Sequence, residues 1–168
     1  TVAASNSILN NDGGNITLAA EGVLATDDLT INAAVSAANG LGNIELLAGD
    51  TISLAAITIS AAGAGAVVLS AGSNFNNGTR QDGNSAGDIR MTSGATVQSE
   101  DGNITLQAPN DVQLSIVNAN SDSDSTLGDI IVTADFVGPD ETGTSTYTSN
   151  GVGAITDVLS SEAPNLNG

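Results

Sequence analysis

Asp122-Ser123-Asp124-Ser125-Thr126-Leu127-Gly128-Asp129 sets carboxylate and hydroxyl oxygens at alternate positions, the way hard-cation loops surround calcium. Asp122, Asp124 and Asp129 are therefore the candidate metal ligands, and calcium is the candidate cofactor. An EF-hand would need Gly where Leu127 stands and Glu where Thr133 falls, and neither is present. No Gly-Gly-x-Gly-x-Asp run of the calcium β-roll kind occurs either. The alternative is a solvated, turn-forming acidic loop. A second series of Asn and Asp residues, Asn15, Asn43, Asp88, Asn103 and Asp129, shares one place in a recurring pattern, immediately before an apolar run. It reads as a ladder of ligands or as Asx side chains bonding their own turn backbone, stacked between repeats.

The missing residue types exclude much other chemistry. The 168 residues contain no Cys or His, and the only cations are Arg80 and Arg90, against 19 acidic groups and a net charge of −17. This removes Ser-His and Cys-His nucleophile pairs, zinc sites of the usual kind and disulfides. Without Lys there is no Schiff base and no P-loop lysine. A surface with two cations cannot neutralise a row of phosphates, so no nucleic-acid partner is expected. An anionic membrane would repel it, and no segment is long and apolar enough to insert. Catalysis is not expected. Paired carboxylates do serve inverting glycosidases, but a polysaccharide groove also uses aromatic platforms, and aromatics are 2 % of the chain.

A repeat supplies the elements that would position these residues. Gly, Asn or Asp, aliphatic, any residue, aliphatic recurs from Gly14, Gly42, Gly87, Gly102 and Gly128, with weaker copies from Gly65 and Gly153. Successive glycines lie 28, 23, 22, 15, 26 and 25 residues apart, the length of one supersecondary unit apart from the single short gap. That gap places Gly87 and Gly102 either on two strands of one coil or beside an insertion that has displaced the register. Each copy alternates with period two: Ile16, Leu18 and Ala20 face one way, Thr17 and Ala19 the other. Ala or Ser at the end of each inward row suits a narrow corner. Leu29–Ile31, Thr51–Leu54, Ile57–Ile59 and Val112–Ile116 supply further strands. The segment before Gly14 resembles Thr96–Asp101 before Gly102.

Coils of two or three such strands, stacked at about 4.8 Å, predict an all-β, right-handed parallel β-helix (a β-solenoid) of about six to seven coils. Roughly forty Ile, Leu and Val residues suffice for its core. Residues 1–168 read as a single solenoid segment, part of a longer array or fibre, with no capping helix in the sequence. Side loops are expected near 72–86 and 135–152. They carry Phe75, Arg80, Phe136 and Tyr147 as candidate contact residues. Thr17, Thr30, Thr58 and Thr105 would form a surface-binding array if they shared one face.

Gly-Asn-Ile-Thr-Leu-x-Ala at Gly14–Ala20 and Gly102–Ala108, with Asp50-Thr51-Ile52-Ser53-Leu54 and Leu29-Thr30-Ile31-Asn32-Ala33, resembles repeats of large bacterial surface adhesins. These are the filamentous-haemagglutinin type and related autotransporter passengers. The resemblance runs from Ser7 to Ile155 and carries no catalytic residues. It implies an exported bacterial protein, extracellular or on the cell surface, acting as a rigid stalk, adhesin or filament. Expected partners are neighbouring coils or copies of the chain end to end, and host-cell or matrix glycans or proteins. The alternatives are a calcium-binding surface-layer or matrix protein, and a carbohydrate-binding or polysaccharide-degrading β-helix.

Overall fold

The computed structural model describes residues 2–4, 6–20, 26–72, 87–135, 153–157 and 166–167. Short β-branched and leucine runs separated by Gly, Asn and Asp form three strands per turn of chain. The first coil is β1 (Val2–Ala4), β2 (Ile8–Asn10) and β3 (Ile16–Ala20). The second is β4 (Leu29–Ile31), β5 (Val35–Ala37) and β6 (Ile44–Ala48). The third is β7 (Ile52–Leu54), β8 (Thr58–Ala61) and β9 (Val67–Ser70). The fourth is β10 (Ile89–Met91), β11 (Thr96–Ser99) and β12 (Ile104–Gln107). The fifth is β13 (Val112–Leu114), β14 (Ile116–Asn118) and β15 (Ile130–Thr133). β16 (Ile155–Asp157) and β17 (Leu166–Asn167) belong to a sixth.

Each strand from β1 to β14 pairs with the strand three positions later, always in parallel. Sheet A runs β1-β4-β7-β10-β13-β16, sheet B β2-β5-β8-β11-β14-β17, and sheet C β3-β6-β9-β12-β15. This is a parallel β-helix. The expected six to seven coils become five complete coils and two strands of a sixth among the described residues. The seven glycine motifs overcount because they open strands at two different corners. Gly14, Gly42, Gly65, Gly102 and Gly128 open sheet C, whereas Gly87 and Gly153 open sheet A. Gly87 and Gly102 thus share one coil.

The register stacks like on like. Ile16, Ile44, Val67, Ile104 and Ile130 form one inward column, and Leu18, Leu46, Leu69, Leu106 and Val132 the next. The central members of both columns are fully buried. Each such side chain contributes about 1.5–3 kcal/mol. Leu18 and Val132, in the first and fifth coils, are only half-buried. Ala20, Ala48, Ala71 and Ala108 end the inward rows, all buried, so the corner is as narrow as the sequence implies.

The glycines before sheet C are set by close approach. A Cβ on Gly42 would stand 2.5 Å from the carbonyl oxygen of Gly14, and one on Gly102 would lie closer still to that of Gly65.

Two expectations change in detail. Val112–Ile116 is not one strand: the chain turns at Ser115, which is buried, and its hydroxyl accepts the Gly94 N–H at 3.2 Å. One inward serine thus closes a corner that takes several residues in the preceding coils. The four threonines lie on different faces, Thr17 and Thr105 on sheet C, Thr30 on sheet A and Thr58 on sheet B, so they form no common array. Phe75, Arg80, Phe136 and Tyr147 lie outside the described residues.

Candidate functional site

Between sheets B and C the chain turns through Glu100-Asp101 in the fourth coil and through the longer 119–129 segment in the fifth. The turn under this segment is fixed from inside. Buried Ser99 donates its hydroxyl to the Gly65 carbonyl at 2.8 Å and accepts the Gly102 N–H at 2.8 Å. The Asp101 N–H reaches the Gly63 carbonyl at 2.9 Å, and the Glu100 carboxylate accepts the Gly63 N–H. Above it, Asn120 accepts the Asp124 N–H at 3.1 Å, and Asp124 accepts the Thr126 N–H at 2.6 Å. Ser123, between the two aspartates, sits in the left-handed region at φ 61°.

These turns bring Asp101, Asp122 and Asp124 together, with one carboxylate oxygen from each within 4.8 Å of the others. Asp101 is half-buried, and its Oδ1 is enclosed without a hydrogen-bond partner. Burial raises its pKa above the ordinary 3.8, and repulsion from Asp124, Asp122 and Glu100 adds to the rise. Hard oxygen donors converging on one point suit calcium. Without a cation the same corner carries unrelieved like-charge repulsion.

Of the three ligands expected from sequence, Asp122 and Asp124 are in this cluster, while Asp129 stands elsewhere. Asp101 takes its place. The signal lay one coil back: Asp101 precedes Asp122 and Asp124 by 21 and 23 residues, close to the repeat length.

Asp129 belongs to a polar ladder at the mouth of sheet C. Asn15 Oδ1 accepts the Asn43 N–H at 2.9 Å, Asn43 Oδ1 accepts that of Ala66 at 2.8 Å, and Asn103 Oδ1 accepts that of Asp129 at 2.8 Å. A second ladder stands before sheet A. Asp28 Oδ1 accepts the Thr51 N–H and Thr51 Oγ1 the Asp88 N–H, each at 3.3 Å. Asp88 Oδ1 accepts the Asp111 N–H at 3.0 Å, and Asp111 Oδ1 that of Ala154 at 2.8 Å. The side chains bond the next coil's backbone rather than their own turn. Buried Asp88 is also held by the Arg90 guanidinium and by Asn110 Nδ2 at 2.9 Å.

No protein-family model, curated protein or solved structure matches the chain.

The residues themselves therefore carry the functional argument. The ladders satisfy backbone donors in the gaps between strands, where sheet hydrogen bonding lapses. They extend coil-to-coil bonding around the corners, and among the described residues the acidic corner is the place where three carboxylates come within 4.8 Å of one another.

Proposed function

We propose that the protein is a structural segment of a secreted or cell-surface adhesin, stalk or extracellular fibre, in which the stacked coils are the working part. The supporting observation is the unbroken register: every strand from β1 to β14 pairs in parallel with its counterpart one coil on. Side-chain ladders run alongside at two corners. In such a column each coil supports its neighbours, so load along the axis is shared by backbone hydrogen bonds and aliphatic stacks. The acidic exterior keeps such rods apart. The resemblance of the repeats to bacterial surface adhesins agrees with this role, and copies joined end to end or surface glycans and proteins would be its partners.

The test is immunogold electron microscopy of the producing cells with antibody to this chain. Label along surface stalks or shed filaments is the expected result. Label confined to the cell interior, or to dispersed particles that degrade an acidic polysaccharide, would remove the proposal.

One observation favours a second reading, a calcium-stiffened surface protein: the enclosed, unpartnered Oδ1 of Asp101 beside two further carboxylates. Asp101, Asp122 and Asp124 would hold the ion, and the ion would supply the positive charge that the corner lacks. Calorimetric titration with calcium should give saturable binding that D101N abolishes. Heat indistinguishable between the two proteins would end this reading.

A further inference from the structure

Asn15-Ile16-Thr17 and Asn103-Ile104-Thr105 each read Asn-x-Thr, the acceptor pattern of N-linked glycosylation. In a chain rich in Asn and Thr the pattern alone says little. The geometry of the amide says more. Both asparagines are exposed just before a sheet C strand, and the strand alternation puts Asn15 with Thr17, and Asn103 with Thr105, on the outer face. The residues between them, Ile16 and Ile104, point into the core.

The ladder decides which amide atom faces which way. A backbone N–H needs an acceptor, so the atom turned toward the next coil is Oδ1, at 2.9 Å from the Asn43 nitrogen for Asn15 and 2.8 Å from the Asp129 nitrogen for Asn103. The planar amide then directs Nδ2 away from that bond. Among the described residues neither Nδ2 has a hydrogen-bond partner. Nδ2 is the atom that N-glycosylation modifies, and Oδ1 is the atom that the fold uses.

We propose that Asn15 and Asn103 are N-glycosylation sites, their sugars standing on the outer face of sheet C while the ladder bonds beneath remain intact. In the transfer, Nδ2 bonds to the anomeric carbon of an activated sugar linked through phosphate to a nucleotide or lipid. The anomeric C–O bond breaks, the phosphate-bearing group leaves with the electron pair, and the amide nitrogen releases one proton. The carbonyl is unchanged, so it still accepts the next coil's N–H. The two sites lie three coils apart, about 14 Å at the usual strand spacing, which leaves room for both sugars. This proposal does not depend on the rod's being a stalk.

Asn43 is an internal control. It holds the same ladder position, with Oδ1 on the Ala66 N–H at 2.8 Å, but Glu45 stands where the acceptor pattern needs Thr or Ser. The test is peptide mass spectrometry of the chain isolated from the organism that makes it, cleaved at acidic residues because Arg80 and Arg90 give trypsin too few sites. Saccharide mass increments are expected on the peptides holding Asn15 and Asn103, and none on that holding Asn43. T17A and T105A should each erase the increment at their own site in a chain that still folds, T17A giving up only the exposed hydrogen bond from Thr17 Oγ1 to Glu45 at 3.4 Å, and E45T should create an increment at Asn43. Unmodified Asn15 and Asn103 in the native chain would overturn the proposal. So would increments that survive T17A and T105A, or that map to hydroxyl groups.

Discussion

The side-chain oxygen of Asn43 accepts the backbone N–H of Ala66 from 23 residues further on, at 2.8 Å, and there the acceptor column stops. Ala66 has no side-chain oxygen for the next rung, where Asn103 resumes the pattern toward Asp129. A hollow of about 150 Å³ lies alongside, lined in part by Asn15, Asn43 and Ala66. Space and a missing acceptor thus coincide.

Ala66→Asn should close that gap. Its Oδ1 would take the Asn103 N–H and join the two halves of the ladder. One added hydrogen bond is worth about 0.5–1.5 kcal/mol. Urea denaturation should show a higher midpoint for A66N and a lower one, by a similar margin, for N43A. An unchanged midpoint in both variants would mean that the ladder only accompanies the strand pairing.

Glycine at position 102 answers a different demand. A Cβ there would press on the Gly65 backbone, and backbone cannot swing aside as a side-chain tip does. Gly102→Ala should cost about 1–3 kcal/mol, as overpacking does, with loss of amide protection centred on β9 and β12. Thr105→Ala, on the outer face of the same strand, should leave protection as it was.

The sequence displays the period-two alternation and the pre-strand Asn and Asp because both are local. Ile104 and Leu106 announce their inward direction within a few residues. Whether Gly87 opened a new coil or a new corner is not local: it depends on which earlier strand β10 meets, and the 73–86 stretch obscures the spacing. The Ser115 corner was hidden for the same reason, since an inward serine in an apolar run looks like strand alternation. The acidic corner was half visible. Asp122 and Asp124 show by their spacing, but Asp101 joins them through the stacking of two coils. Asp129, five residues beyond Asp124, stands instead at the mouth of sheet C, where its backbone N–H bonds Asn103.

Core energetics should grade along the rod. Leu106 is fully buried, with Leu69 and Val132 on either side of it in its column. Leu18 occupies the same column in the first coil and is half-buried. Leu106→Ala should cost about 2–5 kcal/mol, whereas Leu18→Ala should cost clearly less because part of its surface is already wet. Equal shifts in the calorimetric midpoint would contradict a core concentrated in the middle coils.

Acid should relieve the Asp101 corner. The carboxyl's folded pKa is raised above its ordinary 3.8, by burial first and then by Asp124, Asp122 and Glu100. The folded state therefore binds this proton more tightly than the unfolded chain. Its stabilising contribution is fully present below about pH 3.8 and is lost as pH rises through the folded value. At pH 7 the charged group opposes folding, and D101N removes that opposition. The D101N melting temperature should exceed that of the parent at pH 7 in the absence of divalent cations, and the two curves should converge as pH falls toward 3.5. A D101N protein that is less stable than the parent at pH 7 would show that the Asp101 charge is balanced by a partner in the folded chain.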